Sequence, residues 1–264
     1  PLPQEVIELL PVDDTEYIKG NTVTAKVPEK TTVDVGTGKW EFEGWNEDSF
    51  VIDAANVIFT GVWKYTEYPA PLTLSKTHED STYYDKDKIE FCLDFSQDLK
   101  GIDAENAVLK DTLPEGLTLD QDSIEVVGFT QDQYTVESTT NGFTIKIPSM
   151  EHGIYRVSYT AIANTGREKA ELTNTAALTA DNAREDKEAT DTVNIFGQAM
   201  ADYEFVNADG GELPDEVMEL LPKDDRWYKD GEIISAKVLE KTTVTTVSGR
   251  WDFKGWDKEK YTAK

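Results

Sequence analysis

The 264-residue sequence has little cysteine, little histidine and few basic residues. With Cys92 as the single cysteine, neither an intramolecular disulfide nor a cysteine-based zinc cage can form. Two histidines give no His-rich metal motif, and there is no EF-hand spacing, phosphate loop or nucleophile elbow. We therefore expect no metal and no other cofactor, and we rank an enzyme last among the functions considered. Only acidic loops such as 85–87 offer oxygen ligands for calcium.

Positive charge and long apolar runs are also scarce. Asp and Glu number 52 against 26 Lys and Arg, and the net charge of −26 repels nucleic acid phosphates and anionic lipid surfaces. No apolar run approaches the roughly 18 residues of a membrane span, and no signal peptide or sorting motif is present. We expect no nucleic acid partner and no membrane insertion within this sequence.

Cys92 lies in the alternating segment 89–95, where it shares the polar face with Glu90 and Asp94. Acidic neighbours raise the pKa of a thiol, whereas a catalytic thiol needs a lowered pKa and a nearby histidine. His78 and His152 are the only histidines that could serve it. We predict that this thiol is inert.

The chain begins and ends with the same pattern. Residues 2–45 recur without a gap at 213–256, and about 25 of the 44 aligned positions are identical. A short helix is predicted at 2–10 and again at 213–221, since proline and acidic residues open it and a second proline closes it. Strands are predicted at 22–27, 31–35 and 39–45, where β-branched and aromatic residues stand between proline and glycine.

The last of these strands carries a repeated aromatic motif. Its members are Trp40, Phe42 and Trp45 in the first copy and Trp251, Phe253 and Trp256 in the second. Alternation places the first two members of each copy on one face. Such rings either fill the core of a small domain, which we favour, or present a surface on which a sugar ring can stack.

The two copies differ at their ends. The first continues through 56–65, which predicts a strand with no counterpart in the second copy, and the second follows a predicted strand at 203–206 that the first copy lacks. We therefore expect both modules to be incomplete pieces of a longer array and to have unpaired sheet edges that favour association.

The repeated motifs Leu-Pro-x-Glu-Val, Leu-Leu-Pro and Gly-x-Trp-x-Phe-x-Gly-Trp resemble the SHIRT-type repeats of Gram-positive surface proteins. More distantly they are similar to the internalin B-repeat group, whose members have a β-grasp arrangement. The resemblance implies small α+β modules that act as spacers in an elongated surface protein. It covers roughly half of the chain.

The segment between the copies has a different character. Its apolar alternation predicts eight strands: 72–77, 88–95, 107–111, 124–129, 142–147, 153–162, 170–180 and 190–195. Short strands at this spacing suggest an immunoglobulin-like sandwich. The predicted fold is mainly β, with an α+β module at 1–68, a central Ig-like domain at 69–199 and a second α+β module at 200–264.

Three predicted strands place a polar residue on their apolar face. Lys76 follows Leu72 and Leu74, Asp111 lies between Leu109 and Leu113, and Asn174 follows Leu172 at the same two-residue spacing. Such residues are seldom fully buried, so three of them in one core need a joint explanation.

Burial offers a chemical explanation. It lowers the pKa of a lysine towards the neutral amine and raises that of an aspartate towards the neutral acid. Neutral Lys76 could then attack the side-chain carbonyl of Asn174 while protonated Asp111 assists, forming an isopeptide cross-link with loss of ammonia. The alternative is a buried Lys–Asp ion pair with the asparagine hydrogen-bonded beside it.

Four segments resemble the isopeptide-forming domains of Gram-positive pilins and adhesins: Ser75 to Thr77, Lys110 to Leu117, Tyr155 to Thr160 and Leu172 to Ala176. By matching motif positions, this resemblance implies Lys76 and Asn174 as the joined residues and Asp111 as the catalytic acid. Related domains without the bond share much of this pattern.

These features together predict a structural stalk or spacer of a bacterial cell-wall surface protein, located outside the cell and anchored through other regions. Its partners would be the neighbouring modules of the same chain. The alternative is an adhesin module that binds a host glycan or protein through aromatic or acidic surfaces.

Overall fold

The structure is a computed structural model that describes residues 1–53 and 56–264. The first module contains α1 (Gln4–Ile7), β1 (Thr22–Thr24), β2 (Thr32–Asp34), β3 (Gly38–Trp45), β4 (Ser49–Val51) and β5 (Gly61–Glu67). Strands β2, β3 and β5 form an antiparallel sheet in the order β2-β3-β5, and β1 pairs with β4.

The predicted first helix is too long at its C-terminal end. After Ile7 the backbone tightens into bonds from Leu9 to Val6 and from Leu10 to Ile7, each three residues back, and Pro11 ends the run. Leu10 therefore leaves the apolar face that Val6 occupies and is 65% exposed.

Ten strands follow in the central segment: β6 (Leu72–His78), β7 (Lys88–Gln97), β8 (Ala104–Thr112), β9 (Leu117–Leu119), β10 (Glu125–Val127), β11 (Thr135–Thr139), β12 (Gly142–Met150), β13 (Gly153–Ala163), β14 (Ala170–Thr179) and β15 (Lys187–Ile195). All eight predicted strands are present, with bounds that differ by a few residues. Strands β9 and β11 and a short 3-10 helix at Gln121–Ser123 were not predicted.

These strands form two sheets that enclose one apolar core. Sheet one has the order β10-β13-β7-β6, with β9 on β13, and sheet two has the order β11-β12-β8-β14-β15. Alternate residues of β7 and β12 point inward, among them Phe91, Leu93 and Ile145, and all three are buried. The expected mainly β fold is confirmed.

Strand β16 (Gln198–Ala199) ends at the boundary with the second module, which contains α2 (Asp215–Met218), β17 (Tyr228–Lys229), β18 (Ile233–Ser235), β19 (Thr243–Thr246), β20 (Gly249–Asp252) and β21 (Lys260–Thr262). The strands pair as β16-β17, β18-β21 and β19-β20. The predicted strand at 203–206 is wrong, because no described strand pairs with it. Instead the rings of Tyr203 and Phe205 pack on Trp256, with centroids 5.0 Å and 5.7 Å away.

Each of the two modules contains the same polar network. An aspartate accepts hydrogen bonds from a tyrosine and lies beside a lysine, as seen in Asp13, Tyr17 and Lys26 and again in Asp224, Tyr228 and Lys237. The backbone oxygen of each lysine accepts a bond from the indole N–H of Trp45 or Trp256, at 3.0 Å and 2.9 Å. Identical residues therefore keep identical contacts in both copies.

The repeated aromatic strand nevertheless differs in length between the copies. Strand β3 has eight residues and pairs with β2 on one side and β5 on the other, whereas β20 has four residues and pairs only with β19. Strand β2 pairs only with residues 39–41 of β3, whereas β5 pairs along β3 as far as Trp45. The partner strand β5, and not the local sequence, therefore decides where β3 ends.

Candidate functional site

Four polar side chains meet between the two sheets of the central segment. Lys76 lies on β6 and Tyr159 on β13 in sheet one, while Asp111 lies on β8 and Asn174 on β14 in sheet two. The side chains of Lys76 and Asp111 are 0% exposed, and Asn174 and Tyr159 are buried as well. The structure thus brings together all three residues that the sequence singled out.

Strand pairing explains why these groups meet. Asp111 lies opposite Ala176 in the β8–β14 ladder, two residues along from Asn174, so the carboxyl and the amide share the inner face of sheet two. On the other side Asp111 lies opposite Phe143, next to Gly142, whose φ is +137°. A Cβ at Gly142 would overlap the backbone oxygen of Asp111, so only glycine permits this close approach.

Hydrogen bonds join the four groups into a chain. Lys76 Nζ donates to Asp111 Oδ2 and to Tyr159 Oη, the latter at 2.8 Å. Asn174 Nδ2 donates to the same Tyr159 Oη at 2.7 Å. The tyrosine oxygen therefore links the amine to the amide.

Two buried oxygens at the centre of this cluster have no hydrogen-bond partner. They are Asp111 Oδ1 and Asn174 Oδ1. Both are acceptors in the ionised acid and the amide, and Asp111 and Asn174 lie on neighbouring strands with their side chains on the inner face of sheet two. One proton on the carboxyl would satisfy both oxygens, since buried polar groups without a partner are costly.

Burial shifts both titrating groups towards their neutral forms. It raises the pKa of the Asp111 carboxyl, and the neighbouring Lys76 opposes this shift. It lowers the pKa of the Lys76 ammonium, and Asp111 again opposes the shift. Burial also raises the pKa of the Tyr159 hydroxyl, which therefore keeps its proton.

Aromatic rings form the walls of the cluster. The Phe91 ring stacks on Tyr159 with centroids 5.5 Å apart, and Phe143 meets Tyr159 edge-on at 5.0 Å. Lys76 Nζ lies 5.2 Å from the centroid of Phe91 and 5.3 Å from that of Tyr159. The rings exclude water, which lowers the pKa of the amine, while their faces attract the ammonium and oppose that shift.

Tyr159 is the one residue of the cluster that was not predicted from the sequence pattern. It lies in a strand whose alternate residues, including Tyr155 and Val157, are buried, so it resembles an ordinary core aromatic. The available signal was its hydroxyl, because a buried tyrosine normally needs a hydrogen-bond partner.

A second pair lies at the edge of the cluster. His78 follows Lys76 by two residues on β6, and its Nδ1 lies 2.6 Å from Asp191 Oδ2 on β15. Asp191 is directly opposite Asn174 in the β14–β15 ladder. The histidine is therefore engaged with a carboxylate and not with Cys92, whose pKa burial raises, with a further contribution from Asp94.

Two carboxylates of the acidic loop at 85–87 accept hydrogen bonds from backbone N–H groups. Asp85 accepts bonds from the N–H groups of Thr165 and Gly166, and Asp87 accepts one from that of Tyr84. No cluster of three or more potential metal ligands occurs among residues 1–53 and 56–264.

The repeated aromatic motif is half-buried in both modules. In the first module Trp40 packs on Tyr65 at 5.1 Å, and Phe42 packs on Trp45 at 5.2 Å. In the second module Trp251, Phe253 and Trp256 line an open groove of about 1150 Å³. The rings thus pack against neighbouring aromatic rings in both modules, and in the second module they also line the groove.

The central sandwich and the repeated modules define a mainly β protein. The SHIRT domain family matches residues 1–66 and 199–264, which together are half of the chain, and the chain belongs to this family. The collagen binding domain family matches residues 80–189. No curated protein matches the chain.

Several solved structures are similar to this chain at low identity. The Bacillus cereus major pilin subunit BcpA has 12% identity and a TM-score of 0.44, over 90% of this chain and 78% of that one. A streptococcal pair of SHIRT domains from a cell surface protein has 20% identity and a TM-score of 0.26, over 99% and 80%. A Streptococcus pyogenes backbone pilin has 14% identity and a TM-score of 0.36 over 63% of this chain, which spans 45% of the pilin's length.

The family matches give the chain a structural or adhesive role in an extracellular cell-surface protein. Neither matched family is a family of enzymes. Within the described part of the chain, no helix combines the length and the hydropathy that crossing a bilayer requires.

Proposed function

We propose that the chain is a stalk segment of a Gram-positive, cell-wall-anchored surface protein, whose central domain joins Lys76 to Asn174 through an isopeptide bond. The proposal includes the division into modules at 1–68 and 200–264 around a domain at 69–199. Asp111 is the catalytic acid and reacts once per chain, so the chemistry matures the protein and does not turn over substrate.

The reaction follows from the hydrogen bonds of the cluster. Neutral Lys76 Nζ attacks the side-chain carbonyl carbon of Asn174, while the proton on Asp111 hydrogen-bonds to the amide oxygen and stabilises the charge that develops there. The new C–N bond replaces the bond to Nδ2, which leaves as ammonia after gaining a proton. The proton that Nζ loses balances that gain.

The single observation that carries this proposal is the pair of buried oxygens without partners, Asp111 Oδ1 and Asn174 Oδ1. A permanently ionised Lys–Asp pair leaves both unsatisfied, whereas a protonated acid bonded to the amide oxygen satisfies both. The same proton polarises the carbonyl that the amine must attack. The arrangement therefore favours the reactive protonation state over the plain ion pair.

The intact mass of the purified chain tests this proposal. We expect the wild-type mass to be lower than the sequence mass by one ammonia, because bond formation expels Asn174 Nδ2. Lys76→Ala and Asn174→Ala should show their full sequence masses, since each removes one partner of the bond.

Lys110→Ala is the matched control, because Lys110 is the exposed neighbour of Asp111 on the same strand. It should keep the ammonia deficit. A wild-type chain with its full sequence mass would rule out the cross-link.

An adhesive function is the second candidate, since the collagen binding domain family matches 80–189 and the second module has an open aromatic groove. If the groove binds a host glycan or protein, immobilised collagen or a glycan array should retain the chain, and Trp251→Ala should weaken retention at least about tenfold. Trp40→Ala changes the equivalent ring of the first module and should leave retention unchanged. Equal retention of all three chains would contradict a role for the groove.

A further inference from the structure

Tyr159 Oη occupies the position between the attacking and departing nitrogens of the proposed reaction. It lies 2.8 Å from Lys76 Nζ and 2.7 Å from Asn174 Nδ2 and accepts a hydrogen bond from each. Among the described residues, no other side chain is hydrogen-bonded to both nitrogens. The nucleophile and the leaving group therefore share one hydroxyl.

The valence of this hydroxyl determines where its proton points. A tyrosine oxygen has two acceptor positions and one O–H. The amine and the amide occupy the acceptor positions, so the O–H points away from both N–H groups before the reaction begins. Tyr159 thereby holds Nδ2 on its own side and leaves the amide oxygen of Asn174 for Asp111.

We infer that Tyr159 is a catalytic residue of the cross-linking reaction, and that it passes a proton from Lys76 Nζ to Asn174 Nδ2. This inference rests on the proposed cross-link. As the bond from Nζ to the amide carbon forms, the carbon becomes tetrahedral and Nδ2 regains a lone pair. Tyr159 Oη then accepts a proton from Nζ, turns its own O–H to this lone pair and gives that proton to Nδ2. The C–Nδ2 bond then breaks, ammonia leaves, and the tyrosine ends the reaction in its starting state.

This relay separates two tasks that a single carboxyl could not perform at once. The Asp111 proton stays on the amide oxygen while the carbon is tetrahedral, and the Tyr159 proton serves the departing nitrogen. Both transfers run along contacts that already have hydrogen-bond length, as general acid–base catalysis requires.

Water cannot easily replace the tyrosine in this role. Tyr159 is buried, Phe91 covers one face of its ring and Phe143 meets it edge-on. Lys76 and Asn174 are buried beside it. A proton for the leaving ammonia must therefore come from within the cluster.

The test compares Tyr159→Phe with wild type in chains produced by brief expression in the cold and followed by intact mass over time. Loss of the hydroxyl alone should slow the loss of ammonia by about tenfold or more, since a positioned acid–base group contributes at least that much. Tyr155→Phe is the matched control, because Tyr155 lies on the same face of β13 but donates to the backbone oxygen of Glu151. It should react at the wild-type rate.

A structural effect is measured separately by placing Tyr159→Phe in a Lys76→Ala chain, which has no nucleophile. In that background the melting temperature should fall, because buried Asn174 Nδ2 loses its hydrogen-bond partner, and this fall measures the structural cost of the missing hydroxyl apart from the reaction rate. A Tyr159→Phe chain that expels ammonia as fast as wild type would overturn the relay. A wild-type chain that never expels ammonia would instead refute the cross-link itself.

A second measurement uses the wild-type chain alone and so does not depend on the folding of a variant. Transfer through the hydroxyl moves two protons together, one from Lys76 Nζ to Tyr159 Oη and one from Tyr159 Oη to Asn174 Nδ2. Because both contribute an isotope effect, the rate of ammonia loss in mixtures of light and heavy water should fall along a curve, not a straight line, as the deuterium fraction rises. A straight-line dependence would mean that one proton moves and would overturn the relay.

Discussion

Stretched through its two ends, the wild-type chain should release less length from the central sandwich than a Lys76→Ala chain. A bond between positions 76 and 174 closes a loop of 174 − 76 = 98 residues, which cannot extend under load. At about 3.4 Å per extended residue, the difference in contour length is about 330 Å. Single-molecule force spectroscopy measures this difference directly.

The position of the joined residues explains the size of this effect. Lys76 lies on β6, the first strand of the sandwich, through which force from the first module enters. Strand β14, which contains Asn174, is followed only by β15 before the second module. Force would therefore bypass strands β7 to β13. Asn174→Ala should behave as Lys76→Ala does and Lys110→Ala as wild type, and equal contour lengths in all four chains would contradict the bypass.

The second large effect is expected on thermal stability. Closing a loop of about 100 residues removes about 4.7 kcal/mol of unfolded-state freedom in the chain-entropy model. Loss of the bond in Asn174→Ala should therefore lower the melting temperature of the central domain by roughly 15 °C. Differential scanning calorimetry of the two chains measures the shift.

Lys76→Ala should melt lower still, because it also leaves the Asp111 carboxyl buried without its amine partner. The difference between the two variants separates the cross-link from the ion pair. If the Asn174→Ala chain had the same melting temperature as wild type, no covalent bond would contribute to the stability of the central domain.

Alternation predicted the central strands well because one face of each is buried. Strand β7 shows this most clearly, with Phe91, Leu93 and Phe95 directed inward. Strands β9 and β11 were missed since β9 has three residues and β11 has a single apolar residue, Val136, in five. Pairing with β13 and β12, which is a long-range contact, creates them.

The same periodicity identified Lys76, Asp111 and Asn174, because a polar residue on an apolar face is conspicuous. It could not identify the hydroxyl that joins two of them. Tyr159 has an apolar ring that satisfies the pattern, and only the packing of sheet one on sheet two places its oxygen between Lys76 and Asn174. Roles that depend on the register between distant strands leave little trace in local sequence.

The four groups of the cluster come from strands β6, β8, β13 and β14, which belong to two different sheets and extend over about 100 residues of the sequence. They can meet only after both sheets have formed and packed together. A bond made there would be a permanent record that folding was completed, since ammonia diffuses away and the step does not reverse. A misfolded chain would not form the bond and would keep its full mass. The intact mass of a molecule would therefore show whether its central domain had folded.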